Sequence, residues 1–141
     1  MRDKKWFFIV NSTAGRGKTG KKISKLVTTL NEHKLDYEIE LTKAAKHATQ
    51  LAKDAIVQGF QNIISVGGDG TLNEVVNGVM LSGKSEEVNI GIIPEGGGND
   101  FAANFNLSSN INWALKAIST SLYSLSICFK ATSTGIPLCR L

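Results

Sequence analysis

NIISVGGDGTLNEVV, residues 62–76, decides the fold. Asn62 to Val66 is a short, mostly β-branched apolar run, as expected of a strand buried on both faces of a parallel sheet. It breaks directly into Gly67-Gly68-Asp69-Gly70-Thr71. Leu72, Val75, Val76, Val79 and Met80 then recur at the spacing of one helical face. A strand that passes through a glycine-rich turn into an amphipathic helix is a repeating unit of α/β proteins.

Working outward, the same unit recurs. Trp6 to Val10 reads as a buried strand, followed by a loop from Asn11 to Gly20 that holds three glycines. A helix follows, with Ile23, Leu26, Val27 and Leu30 on one face. Tyr37 to Leu41 alternates as a second strand. A second helix carries Ala48, Leu51, Ala52, Ala55 and Ile56 on one side, and Gly59 is placed to end it. Val88 to Ile93 is a further strand, closed by Pro94 and by Gly96-Gly97-Gly98. The pattern predicts an α/β fold: an open parallel sheet, helices on both faces, right-handed crossovers. In such sheets ligands bind beyond the carboxyl ends of the strands, where three of these strands open into glycine-rich loops. After about Thr120 the periodicity dissolves.

The chain of 141 residues fits one domain with a real core, and its 42% apolar and 20% charged content is that of a soluble globular protein. The longest N-terminal apolar run is far shorter than the ~18 residues of a membrane span. It is also too short for a secretory leader, so a cytoplasmic location is expected. Cys128 and Cys139, with no second pair and no nearby histidine, read as reduced thiols. Residues 1–53 hold twelve Lys/Arg against five Asp/Glu; the remainder holds four against seven. A basic half points to an anionic partner such as nucleotide phosphates, an acidic membrane or nucleic acid, although Lys21, Lys22 and Lys25 also fit a plain solvated helix face.

Two motifs in the first loop mislead. Gly15 to Gly20 fits G-x-G-x-x-G, with Glu40 twenty residues beyond, but the run from Asn11 to Gly17 is too long for the tight dinucleotide turn. The same residues with Lys21 fit the start of a P-loop, which then needs a Ser or Thr hydroxyl for Mg2+ where Lys22 stands. What remains is a glycine-rich approach to a helix N-terminus with Arg16 and Lys18, where the dipole contributes ~0.3–1 kcal/mol toward an anion.

The Gly67 loop carries more chemistry. Glycines on both sides of Asp69 allow a sharp turn and a close backbone approach. Thr71 and Glu74 have the spacing of a capping box. A carboxylate among glycines at a strand end has no packing role, but phosphoryl transfer needs groups that hold Mg2+ or orient phosphates. Gly96, Gly97 and Gly98 expose backbone donors in the same way, and Asn99 and Asp100 begin a short helix aimed at the same cleft.

Asn11 through Lys18, Gly67 through Gly78 (GGDGTLNEVVNG) and Gly91 through Phe101 (GIIPEGGGNDF) together resemble the diacylglycerol kinase catalytic domain. That family comprises bacterial lipid kinases, eukaryotic diacylglycerol kinases and sphingosine kinases. The resemblance spans residues 5–118 and includes Thr42, His47 and Ala48. GGDGT alone is shared with NAD kinases and, loosely, phosphofructokinases; the continuation from Leu72 to Gly78 favours the lipid kinases. The fold implied is Rossmann-like, of the NAD kinase and diacylglycerol kinase type.

The resemblance implies ATP in a cleft between this domain and a second, mostly β domain. It also implies Mg2+-dependent transfer of the γ-phosphoryl group to a diacylglycerol-like lipid hydroxyl at a membrane surface. Asn11, Thr42, Gly67, Gly68, Asp69, Gly70, Thr71, Gly96, Gly97, Gly98 and Asn99 match nucleotide-site positions. Gly15, Arg16, Gly17, Lys18, Asn73 and Glu74 complete the candidate set, with Asp69 and Asp100 as the catalytic acids and Mg2+ ligands. Nucleic acid is not an expected partner, and a homodimer is left open.

Three departures stand out. Ser12 replaces a usual proline, and Gly97 replaces a usual threonine, which removes a hydroxyl. The third is the second domain, expected to supply the general base; it is missing, and Ser121 to Leu141 holds no acidic residue. The expected organisation is a nucleotide-binding kinase domain over 1–120 and an atypical, truncated tail over 121–141. Weak ATP or ADP binding and little lipid phosphorylation follow. The alternatives are an NAD kinase-like phosphotransferase, a non-catalytic nucleotide- or anion-binding module and, more distantly, a dinucleotide-binding oxidoreductase.

Overall fold

Four apolar runs become the parallel strands of one sheet, ordered so that the first two helices leave on opposite faces. The computed structural model describes residues 5–95 and 128–129, with the backbone alone described over 14–22 and 128–129. The elements are β1 (Trp6–Val10), α1 (Ala14–Glu32), β2 (Tyr37–Leu41), α2 (His47–Val57), β3 (Asn62–Gly67), α3 (Asp69–Leu81), a 3-10 turn (Ser85–Glu87), β4 (Asn89–Pro94) and β5 (Cys128–Phe129). The sheet order is β2-β1-β3-β4-β5. The first four strands are parallel, as the alternation predicts, and β5 adds antiparallel to β4. Two residues carry too little periodicity to announce a strand, which is why β5 escaped the sequence pattern.

Alternate strand residues feed two cores. Phe7, Ile9, Ile63, Ile90 and Ile92 pack with Ala48, Ala52 and Ile56 of α2 and Leu72, Val75 and Val79 of α3. Phe8, Val10, Ile64, Val66 and Ile93 pack on the other face with Leu26 and Leu30 of α1. Phe7 and Phe60 stack tilted at 5.0 Å, and Phe8 meets Tyr37 edge-on at 6.3 Å. Gly59 closes α2 as expected: its φ is +98°, its N–H donates to Ile56 O and the Phe60 N–H to Ala55 O, a Schellman closure.

The first loop is shorter than its glycines suggest. The helix begins at Ala14, so Gly15, Gly17 and Gly20 lie inside α1 and no dinucleotide turn forms. Each glycine costs a helix about 1 kcal/mol, but the docking of Leu26 and Leu30 anchors the element they begin.

Two predictions arise from local geometry. The Ser65 hydroxyl is buried on the α2/α3 face and has no hydrogen-bond partner among the described residues. Because a buried unsatisfied hydroxyl costs ~1–3 kcal/mol, Ser65→Ala is expected to raise stability by about 1 kcal/mol in urea unfolding. Lys34 ends α1 at φ +52°, its N–H donating to Asn31 O and the Leu35 N–H to Leu30 O. A glycine-type cap held by a lysine stores strain, so Lys34→Gly is expected to stabilise by about 0.5–1 kcal/mol, read as a raised Tm.

Candidate functional site

The strand ends are level. Val10 pairs with Leu41 and with Val66, and Val66 and Gly67 pair with Ile93 and Pro94. The residues that leave the four strands, Thr42, Asn11, Gly68 and Glu95, therefore share one edge. Main-chain bonds lace that edge: the Thr42 N–H donates to Val10 O, Asn11 N–H to Val66 O, and Glu95 N–H to Gly67 O, at 2.7–2.9 Å. Because β2 lies on one side of β1 and β3 on the other, the chain reverses its direction of winding between β1 and β3. A crevice opens at such a switch point, and ligands of open α/β sheets bind there.

Asn11 bridges that point. Its Nδ2 donates to Thr71 Oγ1 at 3.0 Å, tying the end of β1 to the first turn of α3. Its Oδ1 accepts from the Thr13 N–H at 3.0 Å and the Thr13 hydroxyl at 2.8 Å, which holds the exit from β1. Gly67 makes the clamp fit: a Cβ there would lie 2.7 Å from Thr71 Oγ1 and 3.3 Å from Asn11 Cβ. Close approach, not an unusual dihedral, explains this glycine. Gly68 is likewise in ordinary extended backbone, at φ −92° and ψ −168°.

The expected capping box does not form. Gly68, which has no side chain to offer, is the N-cap of α3. Thr71, already inside the helix and buried, is engaged by Asn11. Glu74 reaches sideways instead, its Oε1 accepting from the Lys46 N–H at 2.9 Å and its carbonyl from the Thr49 hydroxyl. The first-turn N–H groups of a helix have no acceptor within it, and those of α3 begin at this strand edge. Asp69, the first residue of α3 and half-buried, is the acidic residue of that turn. A Cβ on Gly70 would meet nothing within 4 Å, so this residue faces open space.

The structure thus brings Asn11, Thr42, Gly67, Gly68, Asp69, Gly70 and Thr71 to one edge. Asn73 and Glu74 lie instead along a groove between α2 and α3, with Lys46, Thr49, Gln50 and Asn77. The side chains of Arg16 and Lys18, and all of Gly96, Gly97, Gly98, Asn99 and Asp100, lie outside what the structure describes. Sequence reasoning missed two features. Glu95 is buried at the same edge, and the 42–46 loop is gripped by its neighbours, with Lys43 N–H donating to His47 Nδ1 at 2.9 Å. His47 was visible only as an unexplained part of the resemblance.

This geometry agrees with what the chain is similar to. It matches the diacylglycerol kinase catalytic domain over residues 5–128, past the span the motifs alone marked. The chain belongs to that family. It is 38% identical over 94 residues to a diacylglycerol kinase of Bacillus subtilis, covering 67% of this chain and 30% of that one. It is 34% identical over 110 residues to a diacylglycerol kinase of Staphylococcus carnosus, covering 78% and 34%. A solved diacylglycerol kinase structure from Bacillus anthracis superposes with a TM-score of 0.68 at 31% identity, over 85% of this chain and 41% of that one. The chain spans about a third of the length of the curated relatives it matches. What the match shows is a domain of the diacylglycerol kinase catalytic type. No described helix is long and apolar enough to cross a membrane.

Proposed function

We propose that this chain supplies the nucleotide half of a lipid kinase, holding ATP with Mg2+ where β1 and β3 part. The observation that carries the reading is the Asn11–Thr71 clamp across the switch point, with Asp69 beside it in the first turn of α3. The first-turn N–H groups of α3, which have no acceptor within the helix, suit phosphate oxygens, and Gly70 beside them is exposed. Asp69 offers the hard oxygen that Mg2+ prefers. Mg2+ is commonly held by one or two carboxylates, with the phosphates and water completing its shell. Asp100 is proposed as the second acid.

In this reading the chain orients the phosphates by its backbone donors, with the 42–46 loop flanking the nucleotide. Mg2+ would neutralise charge that develops on the transferring group. Deprotonation of the acceptor, a diacylglycerol-like hydroxyl presented at a membrane surface, is assigned to the second domain of a whole enzyme. Location is cytoplasmic, peripheral to the membrane.

The test is phosphate transfer from ATP to diacylglycerol, sphingosine or NAD+, alongside calorimetric ATP and ADP binding. The expected result for the 141-residue chain is weak Mg2+-dependent nucleotide binding with little transfer to any acceptor. Robust phosphorylation of diacylglycerol by this chain would contradict the division of labour, and transfer to NAD+ the lipid assignment.

A further inference from the structure

In the loop from Thr42 to Lys46 two backbone N–H groups are each taken by a side chain, and the two side chains come from different helices. Lys43 N–H donates to His47 Nδ1 in the first turn of α2, at 2.9 Å. Lys46 N–H donates to Glu74 Oε1 on α3, also at 2.9 Å. Lys46 itself is held at φ +64°, a conformation that costs a non-glycine residue ~1–2 kcal/mol and persists only under outside constraint. Upstream, Thr42 is bonded to Val10, the residue before Asn11. Glu74 lies one turn beyond Thr71, the residue Asn11 clamps. The loop is therefore tied at one end to α2 and at the other to the helix that begins with Asp69.

We propose that His47 and Glu74 are positioning residues: a pair of acceptors that fix residues 43–46 as one wall of the nucleotide site. The inference rests on the proposed nucleotide reading and deepens it, giving Glu74 an indirect role in place of direct ligand contact. Acceptance at Nδ1 requires the neutral imidazole with its proton on Nε2. An asparagine at 47 and a glutamine at 74 each retain an acceptor oxygen at similar reach, whereas alanine retains none.

The experiment titrates MgATP into the 141-residue chain by calorimetry for wild type, His47→Ala, His47→Asn, Glu74→Ala and Glu74→Gln. Amide hydrogen exchange is followed in parallel at Lys43, Lys46 and the β3 core. Each alanine variant is expected to weaken MgATP by ~3- to 10-fold and to release its own loop amide, with β3 protection unchanged. The asparagine and glutamine variants are expected to bind within about twofold of wild type. Alanine variants that bind like wild type, or losses that asparagine and glutamine fail to rescue, overturn the brace and leave the nucleotide site standing. A wild-type chain that ignores MgATP overturns both. Should one alanine variant unfold, as β3 exchange would show, the other variants still decide the question.

Discussion

Asp69→Asn is expected to abolish the Mg2+-dependent part of ATP binding by this chain. Turnover should fall by ~100- to 1000-fold wherever the domain is assayed within a complete kinase, the usual cost of deleting one preorganised charge from a transition-state site. The substitution conserves size and one acceptor oxygen and removes only the charge. Asp69 also sits at the positive end of α3, so some fold stability goes with it, but the dipole contributes no more than ~0.3–1 kcal/mol. Calorimetry in Mg2+ and in chelator should therefore show nearly all metal-dependent affinity lost, with urea unfolding followed alongside to read stability separately. Equal ATP affinity in Mg2+ and in chelator already for wild type would remove Asp69 from the metal.

Gly78→Val is expected to do the opposite. A Cβ at 78 would run into the Thr49 carbonyl oxygen and lie 2.8 Å from Ala52 Cβ, both on α2. The backbone carbonyl cannot swing aside, so the two helices must part. Overpacking of this kind costs about 3 kcal/mol, and valine adds two methyls to the clash. Parting α2 from α3 also pulls Lys46 away from Glu74, so any nucleotide affinity should fall with stability. Gly70→Ala is the control. Its Cβ meets no atom of the described residues, so urea unfolding should show no loss of stability, and weakened ATP binding would then report an occupant of that exposed space. A Gly78→Val chain as stable as wild type would show that the helices can separate without cost.

The contrast between these glycines shows what the sequence could reveal. The sheet was legible because β1, β3 and β4 are apolar runs bounded by polar or glycine-rich residues, and α2 and α3 carry clear apolar faces. The carboxyl-edge placement of Asn11, Thr42 and Asp69 followed from strand direction alone. The reasons for individual residues did not follow. GGDGTLNEVVNG looks like one ligand-binding motif, yet Gly67 makes room for a side-chain clamp, Gly70 faces open space and Gly78 lets two helices touch. Glycine records that something comes close, and only tertiary structure says what. Thr71 and Glu74 likewise had capping-box spacing, but their partners, Asn11 and Lys46, lie 60 and 28 residues away in sequence. The start of α1 was misplaced for a related reason: glycine propensity is local, whereas the packing that overrides it is not.

The most direct measurement is a titration of MgADP into the isotopically labelled chain, followed by backbone amide shifts in NMR. A nucleotide held at the switch point predicts that Asn11, Thr42 and Gly67 to Thr71 shift together and saturably. Gln50 and Asn77, in the groove between α2 and α3, should stay still. Shifts confined to that groove, or no saturable shift at Asn11 and Asp69 when MgADP is in large excess, would contradict the account.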